Sequence, residues 1–218
     1  MSKLVQCIPN FSEGRRPEVV QAIVDAISRA SDVRVIDHSM DADHNRSVAT
    51  FLGTPEDVWR SAVAGARAAV GLIDLNKHTG EHPRIGAVDV IPVVPIRDVS
   101  MDEAVALSQN IGADVARQLL VPVYLYEASA RSTDRTNLAE IRKGGFEALR
   151  NLELEGDRRP DLGPSKLHPT AGAVVVGARG PLVAFNVNLG TDDVTVARAI
   201  ASKMRKLRDS GVALPGVK

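Results

Sequence analysis

Val33-Arg34-Val35-Ile36-Asp37 and Ser47-Val48-Ala49-Thr50-Phe51-Leu52-Gly53 read as two strands, joined only by the polar loop His38-Ser39-Met40-Asp41-Ala42-Asp43-His44-Asn45-Arg46. What flanks this pair decides the fold. Upstream, Leu4 to Ile8 is a short apolar strand, Asn10-Phe11-Ser12-Glu13-Gly14 turns out of it, and Pro17 opens a helix to about Ala30. Val20, Ile23, Val24 and Ile27 share one face of that helix. Downstream, Thr54 stands at an N-cap with Pro55 in the first helical position, and Val58, Ala62, Val63, Ala66 and Val70 form the buried face of a second helix. A strand from Val88 to Val94 completes a β-α-β-β-α-β order within the first 95 residues, as a ferredoxin-like, two-layer α+β sandwich requires.

Beyond this unit, Ser100-Met101-Asp102-Glu103 has capping-box spacing and predicts a helix to about Leu119, followed by a strand from Val121 to Tyr126. These would extend the sheet into a larger mixed one. Thr136 to Leu152 reads as a weaker, more exposed helix. The Pro- and Gly-rich stretch from Gly156 to Gly172 reads as a linker. Ala173 to Gly177 and Leu182 to Leu189 read as strands, and Thr191-Asp192-Asp193 caps a helix to about Arg208. With helices on one face, the other sheet face needs a second layer or a partner, because Val48 to Leu52 and Val90 to Val94 include nearly continuous apolar runs.

Composition narrows the class of function. The 218 residues are 44% hydrophobic and 25% charged, enough for a real core. Lys plus Arg and Asp plus Glu balance at 27 each, so no long-range field favours nucleic acid or an anionic membrane. Cys7 is the only cysteine, which excludes an internal disulfide, and no apolar run approaches membrane-spanning length. The first residues run directly into a strand without a signal-peptide pattern, so a cytoplasmic protein is expected.

The chemistry concentrates in Asn76-Lys77-His78-Thr79-Gly80-Glu81-His82-Pro83-Arg84-Ile85-Gly86. Three of the five histidines are expected to share one loop system with it. A histidine oriented by a carboxylate such as Glu81 serves as general acid or base near neutral pH. Pro83 fixes the backbone after His82, while Gly80 and Gly86 allow tight turning around it. The same stretch also reads as a solvated polar connection with incidental histidines. Gly80 and Pro83 argue against a helical metal pair of His78 and His82, and no third ligand stands at suggestive spacing, so no metal is expected.

Four runs, in order along nearly the whole chain, carry a resemblance: Cys7-Ile8-Pro9-Asn10-Phe11-Ser12-Glu13-Gly14; Gly80-Glu81-His82-Pro83-Arg84-Ile85-Gly86-Ala87; Val121-Pro122-Val123-Tyr124-Leu125-Tyr126; and Gly177-Ala178-Arg179 with Ala184-Phe185-Asn186-Val187-Asn188-Leu189. Together they resemble the formiminotransferase family. That resemblance implies glutamate formimidoyltransferase activity: a formimino group passes from N-formimino-L-glutamate to tetrahydrofolate, giving 5-formiminotetrahydrofolate and glutamate in histidine breakdown. It also implies two tandem ferredoxin-like subdomains with folate between them. By motif match, His82 takes the catalytic role.

Asn45-Arg46 also matches the family. Arg46 or Arg84 can bind a glutamate carboxylate by a bidentate pair, and a nearby acid such as Asp43 or Glu81 can stabilise developing amidinium charge. An arginine bridging loop to strand is the plain alternative for both. His38 matches no motif and reads as a strand-end histidine. Asn10, Ser12 and backbone amides of their turn either approach the ligand or form a buried cap. Gly163-Pro164-Ser165-Lys166-Leu167-His168-Pro169-Thr170-Ala171-Gly172 corresponds to the family's folate-binding stretch, where glycines permit close approach to a flat pteridine.

Length is the departure from the family. Residues 1–179 correspond to the N-terminal subdomain, and residues 180–218 to the truncated start of the C-terminal one. Leu182 to Leu189 would then seek the first sheet or another copy of the chain, making a homo-oligomer or a partner carrying the other subdomain the expected associate. The alternatives are a folate-binding or dimerising remnant without turnover, or transfer of a formyl group.

Overall fold

The chain begins with β1 (Leu4–Cys7) and β2 (Asn10–Phe11), then α1 (Pro17–Ala30), β3 (Arg34–Asp41), β4 (Arg46–Gly53), α2 (Pro55–Leu72) and β5 (Val88–Arg97). Next come α3 (Met101–Leu119), β6 (Val123–Leu125), the short α4 (Leu138–Ile141) and α5 (Gly145–Leu149), β7 (Val174–Ala178) and α6 (Val194–Asp209). This computed structural model describes residues 2–183 and 187–212. It divides into two compact units, residues 1–181 and residues 182–218.

In the first unit β3, β4, β1 and β5 lie side by side, every neighbour antiparallel, with β2 continuing the line of β1 between β4 and β5. This is the strand order of a ferredoxin-like βαββαβ sandwich. Beyond β5, β7 and then β6 add in parallel, so the sheet is mixed and extended as expected. β5 consequently has neighbours on both edges, and Val88 to Val94 is buried throughout. That explains its near-continuous apolar sequence.

The long helices form where local signals agree with the apolar pattern. The Thr54 hydroxyl accepts from the Asp57 amide, with Pro55 in the first turn of α2. At α3 both halves of the capping box are made between Ser100 and Glu103. The buried faces of α1 (Val20, Ile23, Val24, Ile27) and α2 (Val58, Ala62, Val63, Ala66) are those the periodicity predicts. They pack on each other and on β1, β3 and β4.

Cross-strand partners share a sheet face. Cys7 and Phe51, a register pair, are buried with Val5 and Ala49, whereas Gln6 pairs with Leu52 on the half-buried opposite face. Near that sheet Ile36 remains 48% exposed and Ile96 46%.

Several boundaries differ from the sequence reading. β3 runs on to Asp41, so the expected nine-residue loop shrinks to a turn at residues 42–45, and His38 sits inside a strand rather than at its end. As an edge strand paired only with β4, β3 can be polar without loss of core. The expected helix over 136–152 breaks into α4 and α5, with Gly144 before α5 and Gly145 at its start both at positive φ. Residues 156–172 are not a linker. Leu167 and Ala171 are buried, the carbonyls of Thr170 and Ala171 accept from Leu75 N (2.8 Å) and Ala87 N (2.9 Å), and Leu154 N donates to Ser165 O (2.7 Å).

The second unit is simple. Asp193 caps α6 through the Thr195 amide at 2.8 Å, and no described residue of α6 is buried. Leu182, Val183 and residues 187–189 belong to no strand, contrary to the expected strand 182–189, and residues 184–186 lie outside the described residues. The described strands all belong to the first unit's sheet, and a strand without a ladder has nowhere to place its backbone hydrogen bonds.

Candidate active site

Three loops meet at one end of the sheet: the segment after β2, the β3–β4 turn and residues 78–84. Asn45 ties them. Held at φ 49 and 7% exposed, it accepts from Gly14 N (2.9 Å) and donates to Thr79 O (2.9 Å) through its side chain, while its carbonyl meets His78 Nε2 at 2.9 Å. A short polar side chain tolerates this left-handed backbone better than most. Gly80 allows the closest approach: a Cβ there would lie 2.5 Å from the His44 carbonyl oxygen. Glu81 N completes the join by donating to Asp43 O (3.3 Å).

These contacts fix the role of His78. Because its Nε2 faces a carbonyl it carries the proton, leaving Nδ1 to accept from Arg84 Nε at 2.6 Å. Burial first, then the Arg84 guanidinium, hold His78 below the ordinary histidine pKa. Arg84 is fully engaged, since its remaining nitrogens reach His78 O (3.0 Å) and both carboxylate oxygens of Glu147 (2.7 and 3.2 Å). It bridges loop to α5, the plainer of its two sequence readings.

His82 is different. It is half-buried, no hydrogen bond to either ring nitrogen forms among the described residues, and its nearest ring is His44, edge-on at 6.3 Å. His44 in turn pairs with Asp41 (Nδ1 to Oδ2, 2.9 Å). His44, His78 and His82 therefore share one loop system. Glu81 does not orient His82: it is exposed, and no hydrogen bond joins the two. Burial, then the charges of Arg46 and Arg142, lower the His82 pKa to about 4. The ring is thus neutral at neutral pH with a nitrogen free to take a proton.

His82 faces a cleft of about 560 Å³, lined with Gly80, Arg84, Arg142, Lys143 and Glu147 among others. Arg142, the C-terminal cap residue of α4, pairs with Asp89 of β5, a contact 12% and 3% exposed on its two sides. The other oxygen of Asp89 accepts from Ile85 N (2.9 Å), so one buried carboxylate holds both the histidine loop and Arg142. Sequence reasoning assigned no role to Asp89, Arg142, Glu147, Asp41 or His44. A lone acid inside Val88-Asp89-Val90-Ile91 was the available signal, since such a group is buried only with a partner.

The other expected site residues spread more widely. Asn10 and Ser12 are buried framework: Asn10 donates to Ile8 O and Ser12 Oγ to Gly86 O, both at 2.7 Å. Asp43 is exposed and meets the histidine loop through its backbone. None of residues 163–172 lines the cleft of His82. Gly163 lies beside the Val121 carbonyl, and Ser165 and Lys166 reach Glu153. His168 Nδ1 accepts from the amides of Thr170 (3.3 Å) and Ala171 (3.1 Å), and the Pro169 carbonyl accepts from Asn76. Gly172, at φ 69, has a structural reason to be glycine: its Cβ would sit 2.1 Å from the Ile85 carbonyl oxygen.

Among the described residues no group of three or more His, Cys, Asp or Glu is placed to hold a metal ion, and no helix is long and apolar enough to cross a membrane.

A ferredoxin-like sheet thus carries, at one end, a neutral histidine without a hydrogen-bond partner among the described residues, beside half-buried arginines. Comparison with known proteins makes this specific. Residues 4–179 match the formiminotransferase domain, N-terminal subdomain. The chain is 47% identical over 205 residues to a glutamate formimidoyltransferase of Streptococcus pyogenes serotype M1, and 44% identical over 211 residues to one of Thermoplasma acidophilum. Those alignments cover 94% and 96% of this chain and 69% of each relative. The formimidoyltransferase-cyclodeaminase of Sus scrofa is 48% identical over 189 residues, 87% of this chain and 35% of that protein. The chain belongs to the formiminotransferase family.

Proposed function

We propose that the chain carries a formimino group from N-formimino-L-glutamate to tetrahydrofolate, with His82 as the proton carrier. The observation that carries this reading is the His82 ring, held neutral and without a hydrogen-bond partner among the described residues, lining a cleft that Arg84, Arg142 and Lys143 share with Glu81, Glu140 and Glu147. Folate N5 attacks the formimino carbon and gives its proton to His82. The tetrahedral adduct then breaks the bond to the glutamate nitrogen, and protonated His82 returns the proton to that nitrogen. Atoms and charge balance with one histidine acting as base, then acid.

Tetrahydrofolate enters this scheme as co-substrate, with residues 163–172 as its proposed contact and residues 1–179 and 180–218 as the two subdomain portions. Because none of that stretch lines the His82 cleft while its end meets residues 86–87, an extended ligand fits, with pteridine at the histidine and the remainder along the loop. The scheme requires no metal. A second wall for the folate cleft would come from another copy or a partner subunit, a reading supported by the greater length of the relatives and by Val183 and Val187, which are 84% and 73% exposed. A cytoplasmic setting suits folate chemistry and the single buried Cys7.

The direct test is product formation from formiminoglutamate and tetrahydrofolate. His82→Ala is expected to lower turnover by at least about a hundredfold while folate affinity stays within a few fold. Near-normal turnover would exclude His82 as the proton carrier. In the wild type kcat/KM should hold its value down to acid pH and fall only as pH drops toward about 4, where the free His82 gains its proton. Folate binding without any turnover would favour the remnant reading.

A further inference from the structure

Two buried nitrogens near His82 have nothing to bond: Arg142 lines its cleft, and Arg46, which does not line it, acts on the ring through its charge. Arg46 Nε and Arg142 Nε are both dry and without a hydrogen-bond partner among the described residues. Buried donors are nearly always satisfied, so an unpaired one at a cleft marks the place of an absent acceptor. The charges are unbalanced in the same sense. Arg142 shares Asp89 with the Ile85 amide, and Arg46 forms no ion pair among the described residues. Arg46 is itself disfavoured as a cation, first by burial and then by the charge of Arg142, which shows that the two guanidiniums feel each other. Arg84, the other sequence candidate, is excluded because His78 and Glu147 occupy it.

Resting on the transferase reading, we infer that Arg142, which follows α4, and Arg46 of β4 together form the carboxylate site of the donor, holding its α-carboxylate beside His82. That carboxylate lies two bonds from the nitrogen His82 must reprotonate, so one anchor fixes both the donor and its leaving group. A carboxylate also accepts two N–H groups at once, which matches two orphaned donors. The binding has a chemical consequence. Among the groups acting on His82 are Arg46, Arg142, Asp89 and His44, with Glu81, Arg84, Glu140, Lys143 and Glu147 lining the same cleft, and the two arginines are the chief charges lowering its pKa. A bound carboxylate offsets them, so His82 becomes a stronger base only when the donor is in place.

The test follows the His82 ring by NMR through a pH titration of the full chain, with and without L-glutamate. Glutamate is expected to move the His82 midpoint upward by about one pH unit or more in the wild type, and not in Arg142→Gln. Because that variant leaves Asp89 alone, Asp89→Asn/Arg142→Gln is measured beside it as a charge-matched control, also expected to lose the shift. Turnover should show the same site: Arg142→Gln raises KM for formiminoglutamate at least about tenfold and leaves KM for tetrahydrofolate unchanged. If glutamate leaves His82 unmoved while the wild type turns over, the carboxylate site is wrong and the transferase reading stands. If glutamate moves His82 but no formimino group is transferred, the site stands and the transferase reading falls. An undiminished shift in both variants removes Arg142 from the site.

Discussion

Between β1 and β6 the chain is organised by apolar periodicity, whereas between Glu127 and Gly172 it is organised by single polar side chains bonded to backbone. In the first region Val5, Phe51, Ile23, Ile27 and Val58 fill one shared core, with polar ties such as those of Asn45 and Asp89 made to the loops at its end. In the second, Asp161 accepts from Leu125 N (2.8 Å) and from Arg135 (2.5 Å), Arg135 also donates to the Asp157 and Arg159 carbonyls, and the Tyr124 hydroxyl donates to Arg158 O (2.6 Å). Arg135 lies over the Tyr124 ring, 5.1 Å from its centre. Core of the first kind forgives changes of residue that keep volume, while a hydrogen-bonded loop forgives changes of volume that keep the donor or acceptor.

The contrast can be broken by substitution. Phe51→Ala should cost about 3–5 kcal/mol in chemical denaturation, with Phe51→Leu losing much less, because the site is fully buried and apolar. Asp161→Ala should cost about 3 kcal/mol, since it strands the 13% exposed Arg135 and the Leu125 amide. Here Asp161→Asn, equal in volume, should recover little. If Asn restores full stability, charge is not what holds the loop. Gly172→Ala comes next, at about 1–3 kcal/mol for an alanine in left-handed backbone, with the Ile85 contact adding to it. A melting temperature unchanged in that variant would return Gly172 to a ligand-binding role alone. Lys166→Ala should change stability by less than about 1 kcal/mol, because its pair with Glu153 is 69% and 46% exposed.

The same contrast explains what the sequence made legible. Pro17, Thr54-Pro55 and Ser100 with Glu103 announce their helices locally, and the apolar spacing names the faces that bury. The order of strands followed, and with it the ferredoxin-like sheet. The stretch 156–172 was misread as a linker because its Pro and Gly content signals turns, and turns held by Asp161, Ser165 and His168 have the composition of a free connection. At the site, His82 was legible from its motif, and Asn45 only as a motif match whose task is structural. Arg142 was not legible, because an arginine in a weak helix looks solvated until the fold sets Asp89 against it. β2, two residues long, carries too short a pattern to be seen.

The Asp89 to Arg142 pair spans 53 residues of chain, and that separation has a bearing on how the protein is made. As the polypeptide leaves the ribosome, all four strands of the ferredoxin-like sheet emerge before either the counter-ion of Asp89 or β7, the parallel neighbour of β5. Until residue 142 is synthesised, completing that sheet would bury this carboxylate without its counter-ion, a costly arrangement. The histidine loop is tied to the same carboxylate through Ile85. The centre of the sheet and the histidine loop thus share one carboxylate whose counter-ion comes late in the chain.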